Sequence, residues 1–239
     1  MQLKQPGQLP VNNDRDLLAA HTRLTDANIL ELGCGSAFVT RKIAEQHLSS
    51  KIIAAEVDSI QHEKNLLITD LPNVEFVLAG MQDIPLNDDS IDTVVMLKSL
   101  HHVPVELLEQ GFSEVQRVLK PGGCLYISEP VFDGEFNEIL RLFNNEESVR
   151  QKAFDALKQA VSEGLFELQQ EIHFLSESRF KSFSDFENRI INATHSEFHL
   201  DDTTLGKVKT LFESHPDLNN GDKRFLNPMR VDILCKPQT

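Results

Sequence analysis

Apolar residues in the first half of the chain gather into short continuous runs, separated by stretches that repeat at helical spacing. Ile29-Leu30-Glu31-Leu32, residues 51–58 (KIIAAEVD), 74–79 (VEFVLA) and 91–97 (IDTVVML) read as four strands, and 124–128 (CLYIS) as a fifth. Runs of this length with little alternation mark strands covered on both faces, as in a parallel sheet between helices. A helix is predicted from Phe38 to about His47, directly after the first strand. Another is predicted to open at Pro104, a residue suited to a first helical turn. On it Val105, Leu108, Phe112, Val115 and Leu119 keep to one face. Strands alternating with helices predict a doubly wound α/β fold.

The second half is more mixed. Residues 147 to about 163 form an amphipathic pattern with Val149, Ala153, Ala156/Leu157 and Ala160/Val161 on one side. A sixth strand is expected near 171–174, and 230–235 (RVDILC) alternates as a closing strand. Ser184 with Glu187 makes a capping-box pattern for a helix with Phe186 and Ile190 inward. Asp201 or Asp202 caps another, with Leu205, Val208, Leu211 and Phe212 packing inward.

Chemistry first shows at the end of the first strand. Gly33-Cys34-Gly35-Ser36-Ala37 breaks the strand and runs straight into a helix. Glycine serves where the backbone takes positive φ, or where a ligand approaches main chain with no Cβ in the way. At a strand-to-helix turn this makes a pocket lined by backbone N–H groups, suited to a polar, nucleotide-like guest. A dinucleotide fingerprint needs a third small residue where Phe38 stands, and a phosphate loop needs a Gly-Lys-Ser/Thr triplet, which is absent. A glycine, glycine, small pattern remains, preceded by Glu31. About twenty residues on, the second strand ends in Glu56-Val57-Asp58, where a doubly wound fold places a carboxylate against ribose hydroxyls.

The ordered set LELGCGSA, AAEVD, VEFVLAGMQDIPL, SIDTVV, LHHV and RVLKPGG resembles the class I S-adenosylmethionine-dependent methyltransferases, especially their type 11 small-molecule branch. It covers 28–130. The resemblance implies a Rossmann-like, doubly wound seven-stranded sheet, mostly parallel with one antiparallel strand between the fifth and sixth, and a helical insertion after the fifth strand. It implies S-adenosyl-L-methionine as cofactor. Gly33, Cys34 and Gly35, with Ala37 closing the turn, would pass under its methionine part, and Glu31 would meet the ammonium. Glu56 would take the ribose hydroxyls, with Asp58 as the alternative and Val57 between them. The family usually has Asp where this chain has Gly80, so Met81 and Gln82 would hold adenine instead. Leu97 and Lys98, at the end of the fourth strand, would complete the pocket.

Composition narrows the partners. The chain has 239 residues and a net charge of −14, and no basic run suited to a phosphate backbone, which argues against a nucleic-acid substrate. The fourth strand ends in Leu97-Lys98-Ser99 and lacks the Asn/Asp-Pro-Pro-aromatic tetrad of enzymes that methylate nucleic-acid amino groups. Cys34, Cys124 and Cys235 have no metal-ligand spacing, so free thiols and no metal are expected. No apolar stretch approaches a membrane span and no signal-peptide pattern is present, so a cytoplasmic protein without membrane contact is expected. One domain suffices for this length: 1–27 as an N-terminal helical segment, 28–130 as the cofactor core, 131–170 as a helical cap and 171–239 as closing strands and helices.

Two functions fit these observations. The first is methyl transfer to a small-molecule acceptor by in-line displacement. The second is a cofactor-binding scaffold or regulatory subunit without turnover. An oxygen or nitrogen acceptor may require a base, for which His101, His102, Glu129 and His21 are the candidates. Phe132, Phe136, Leu140, Leu142 and Phe143 are either ordinary core or the lining of an apolar acceptor cavity. The acceptor, the atom methylated and the oligomeric state are not encoded in any motif.

Overall fold

In the computed structural model, which describes residues 1–192, 198, 200–218 and 220–238, the apolar runs pair into one sheet. Its strands are β1 (Asn28–Leu32), β2 (Lys51–Glu56), β3 (Val74–Leu78), β4 (Ile91–Leu97), β5 (Leu119–Pro130), β6 (Glu167–Phe180) and β7 (Lys223–Cys235). The order is β3-β2-β1-β4-β5-β7-β6, with β7 antiparallel to both its neighbours and every other pair parallel. This is the expected doubly wound, seven-stranded arrangement.

Successive side chains of each strand go to opposite faces, and each face has its own helical cover. Leu30, Val94, Leu125 and Ile127 pack beneath α4 (Leu108–Val118) and α6 (Glu147–Ser162), through Phe112, Val115 and Leu157. Ile29, Ile52, Val95 and Tyr126 pack beneath α1 (Asp14–His21) and α2 (Phe38–Gln46), through Leu17, Leu18, Ile43 and Ala44. Strand order reverses between β1 and β4. At such a switch point the connections leave in opposite directions and open a crevice at the carboxyl ends of the strands. The turn after β1 and the segment after β4 border that crevice.

The far ends of β6 and β7 extend beyond β5 and pair with each other from Leu175↔Pro228 to Phe180↔Lys223. With α5 (Glu135–Leu140), α7 (Phe183–Phe186) and α8 (Asp202–Ser214) they enclose Phe180, Phe186, Phe212 and Phe225. Phe186 and Phe212 have ring centroids 5.2 Å apart. This second core accounts for much of the phenylalanine content, and for strands longer than alternation alone suggests. Among the described residues no helix is long and apolar enough to cross a membrane.

Several local expectations are corrected. Pro104 is extended (φ −51°, ψ 134°) and starts only a 3-10 turn at Val105–Leu107. The α-helix begins at Leu108, because the preceding turn at Leu100–His102 folds tightly to bury Leu100 and His101. Val105 is therefore exposed and Leu119 already belongs to β5. The capping serine is Ser182, whose Oγ accepts from Asp185 N–H at 3.2 Å. Asp185 in turn accepts from Lys181 N–H at 3.1 Å. Burial of Phe180 in the aromatic core brings the helix start two residues forward. Val149 and Leu211 are exposed at the margins of their apolar stripes, and Ile191 is buried in the core of Phe186, against which Ile190 also packs, partly buried. Asp201 caps α8, accepting from Thr204 N–H at 2.7 Å.

α6 covers the sheet face through Ala153, Leu157 and Ala160. Leu157 is fully buried. Leu157→Ala is expected to destabilise the fold by about 2–5 kcal/mol, read as a lower urea midpoint with unchanged slope.

Candidate active site

The turn after β1 is sewn to β2 by its own backbone. Gly33 N–H and Cys34 N–H both donate to Ala55 O, at 2.9 and 3.0 Å. Gly35 N–H donates to Glu56 Oε2 at 2.8 Å. Gly33, Gly35 and Ala37 all have positive φ, of 76°, 52° and 60°. A Cβ on Gly33 would lie 2.7 Å from that of Ser99, whereas one on Gly35 would meet nothing within 4 Å. Gly33 is thus required by packing, and Gly35 borders the open crevice. The N–H groups expected to line the pocket are largely engaged internally.

Glu56 ends β2 almost fully buried. Its Oε1 accepts from Val57 N–H at 2.8 Å and Asp58 N–H at 3.0 Å. Three main-chain donors occupy a group with about four acceptor positions. Asp58 caps α3 (Ser59–Asn65), accepting from Ile60 N–H at 2.8 Å and Gln61 N–H at 3.3 Å. Val57 is two-thirds exposed, as are Ile60 and Phe38.

Glu31 lies on β1 beneath the turn, and Thr40 of α2 donates to its Oε2 at 2.5 Å. Burial pushes its carboxyl up to about 7, against the smaller lowering by Thr40. Burial also pushes the Cys34 thiol up to about 12, helped by nearby Glu31 and Glu56. Cys34 is therefore a packing residue, touched by the Asn65 amide, which also donates to Gly35 O at 2.8 Å.

On the far side of the crevice the segment after β4 carries Lys98, in the left-handed region at φ 56°. Lys98 N–H donates to Ser128 O at 2.7 Å, its ammonium lies 3.6 Å from Asp14, and Ser128 hydrogen-bonds Asp14 as well. His101 is buried, with Nδ1 hydrogen-bonded to Glu129 Oε2. Glu129 Oε1 accepts from Leu100 N–H at 2.9 Å. His101 Nε2 stands 3.8 Å from Glu146, which carries Arg150 at 2.5 Å. His102 is exposed, its ring centroid 4.1 Å from that of His101. His101, His102 and Glu146 offer donor atoms within 4.8 Å of one another. A cation there would have to compete with the Arg150 guanidinium.

The expected site residues therefore divide. Glu31, the glycine turn and Glu56 form one cluster, and Lys98, His101 and Glu129 another across the switch point. Gln82 lies over Gly80, where a Cβ would collide with its amide. Met81 buries its side chain against Gly111, leaving only main chain near the crevice. Leu97 packs on the α1–α2 side. His21 is exposed at the last residue of α1, about two helical turns from Asp14. Sequence reasoning missed Asp14, Ser128, Glu146 and Arg150, none of which lies in a motif.

Residues 29–123 match the family model described as a methyltransferase domain. That segment is similar to a methyltransferase domain. A match 34% identical over 97 residues links it to an uncharacterized methyltransferase of Mycobacterium tuberculosis, covering 41% of this chain and 37% of the relative. Another, 28% identical over 151 residues, links it to the demethylmenaquinone methyltransferase of Listeria monocytogenes, covering 57% and 62%. The matches thus span less than two thirds of these relatives. A methyltransferase candidate from Bacillus halodurans has the same fold, at TM-score 0.64 and 18% identity, covering 94% of this chain and 99% of that one. The glycine turn and Glu56 lie inside the matched segment, and Glu129, Glu146 and Arg150 outside it.

The raised carboxyl of Glu31 predicts a pH dependence. Between its ordinary value of 4.5 and about 7 the folded state keeps a proton that the unfolded chain releases, so stability falls as pH rises through that window. Glu31→Gln cannot ionise and is expected to remove this loss, on the order of 3 kcal/mol. Urea titrations at pH 5 and pH 8 check it.

Proposed function

We propose that this domain transfers a methyl group from S-adenosyl-L-methionine to a small-molecule acceptor. The observation that carries the reading is Glu56, a buried carboxylate at the end of β2 that holds Gly35 N–H and borders open space. One acceptor position is left on that carboxylate for a ribose hydroxyl, and Asp58, engaged as the α3 cap, is the weaker choice. Glu31 is a buried acid with no cation beside it, and the methionine ammonium would favour its ionised form. Gln82, lying over Gly80, supplies the amide that would meet adenine where the family has Asp. The cofactor, when bound, supplies a methyl group already activated by its sulfonium.

The chain's task is then alignment and proton removal. We assign the proton to His101 Nε2. Glu129 on Nδ1 fixes the ring, and Glu146 at 3.8 Å would stabilise the imidazolium that forms. Such an arrangement suits an oxygen or nitrogen acceptor that loses a proton as it is methylated.

Calorimetry is expected to show binding of both the cofactor and its demethylated product, and binding of neither would overturn the reading. Glu56→Ala should weaken binding by about 1.5–3 kcal/mol, the worth of hydrogen bonds to a charged group. With an acceptor found by screening metabolites for methyl consumption, His101→Asn should lower kcat by about 10²–10⁴-fold and leave cofactor affinity unchanged. Unchanged turnover would remove His101 from the chemistry.

A further inference from the structure

Beside the histidine–glutamate pair lies a cavity of about 60 Å³, walled by the N-terminal segment, the end of β5, the middle of β7, and the first turns of α6. Leu3, Phe132 and Ala153 supply apolar surface, Lys4, Arg150 and Arg230 positive charge, and Glu129 and Glu147 negative charge. A water needs only about 10–15 Å³ of such space, so the cavity admits a group of several heavy atoms. Glu129 belongs both to this wall and to the hydrogen bond on His101, so the cavity adjoins the proposed proton acceptor.

The Arg150 side chain is only 10% exposed. Its Nη2 donates to Glu146 at 2.5 Å and its Nη1 to Asn137 Oδ1 at 3.2 Å. Its Nε–H is buried with no hydrogen-bond partner. A buried donor left unmatched is costly, and more so when it carries charge. Arg230, 3% exposed, lies with its guanidinium 4.0 Å from the Phe154 ring centroid and donates Nε–H to Asp232 at 2.7 Å. The acids on the wall do not fill the vacancy on Arg150. Glu129 is taken up by His101 and Leu100, and Glu147 is exposed at the rim. A planar oxyanion is the group that matches a guanidinium edge with a free donor.

We propose that the methyl acceptor carries a carboxylate, which enters this cavity and is held by Arg150 Nε–H, with Arg230 contributing charge. This rests on the methyltransferase reading and narrows its substrate class to small organic acids. Phe132, over whose ring both Arg141 and Arg150 lie at 5.6 and 5.9 Å, would flank the carbon skeleton next to the carboxylate.

The test uses the intact chain and acetate, the smallest probe that bears the group. In an NMR titration of arginine side-chain signals, acetate should shift the Arg150 Nε–H resonance, assigned in the wild-type protein through its connection to the Arg150 backbone signals. Acetamide, of the same shape without the charge, should leave it in place. Arg150→Lys should lower acetate affinity at least tenfold. An unmoved Arg150 signal, or equal shifts with acetate and acetamide, would overturn the proposal, and the wild-type titration decides this even if the variant folds poorly. Calorimetry with S-adenosylmethionine on the same sample keeps the two readings apart. Cofactor binding without an acetate response sinks only the carboxylate assignment.

Discussion

Where β1 ends, its backbone passes so close to the segment leaving β4 that Gly33 has no room for a side chain: a Cβ would sit 2.7 Å from the Ser99 Cβ. Ser99 Oγ completes the contact by donating to Leu32 O at 2.8 Å. Because the two central strands meet this tightly, the chain must turn at once, and it does so through positive φ at Gly33, Gly35 and Ala37. The turn is then caught on its other side by Ala55 O and Glu56. α2 therefore starts at a set place and angle over β1, which brings Thr40 onto Glu31. Both borders of the crevice follow from that one close approach, since Ser99 also begins the tight turn that buries His101.

Around this crevice the domain buries carboxyl groups, and it does so in chemically different ways. Removing an ionised carboxylate from water costs several kcal/mol unless partners replace the solvent. Glu56 is met by three main-chain N–H groups, and Glu129 by an imidazole and a main-chain N–H. Asp232 has Arg230, yet its other oxygen is without a partner and burial still holds its carboxyl above the usual range. Glu31 has one hydroxyl and no cation, so it keeps its proton to about 7. The acids with partners are ready-made hydrogen-bonding surfaces. Glu31 is the one whose charge state a cationic ligand would change, and that couples ligand binding to stability.

The fold was legible because its strands and helices carry local signals. Continuous apolar runs marked β1, β2 and β4, and the interval from Gly35 to Glu56 is set by one helix between two strands. Both residues lie on neighbouring strand ends, so a sequence motif was enough to pair them. The misreadings occurred where tertiary packing overrode a local signal. Pro104 is a good first helical residue, but burial of Leu100 and His101 demanded a tighter turn there. Ser184 has the capping-box spacing, but the aromatic core claimed Phe180 and moved the cap to Ser182. Met81 stood beside the missing aspartate in sequence, yet the small Gly111 on α4 gave its side chain a place in the core. The phenylalanines after β5 could not be sorted in advance, and they divide: Phe136 and Phe143 join the aromatic core while Phe132 lines the cavity.

The cavity beside Glu129 was illegible for a different reason. Its walls come from Leu3, Glu129, Phe132, Arg150 and Arg230, so nearly the whole chain length must fold before the cavity exists. No spacing rule links such positions. One signal was nevertheless present in α6. Arg150 precedes Ala153, Phe154 and Leu157 by three, four and seven residues, so it occupies the buried stripe of that helix. Arginine on an apolar stripe is seldom tolerated without a partner. Arg230 breaks the same rule in β7, two residues from Asp232 and four from Leu234 on one inward face. Charges placed where periodicity demands hydrocarbon are therefore the sequence trace of this half of the crevice. They are found by asking which residues violate the pattern, whereas the glycine turn and Glu56 were found by the residues that satisfy one.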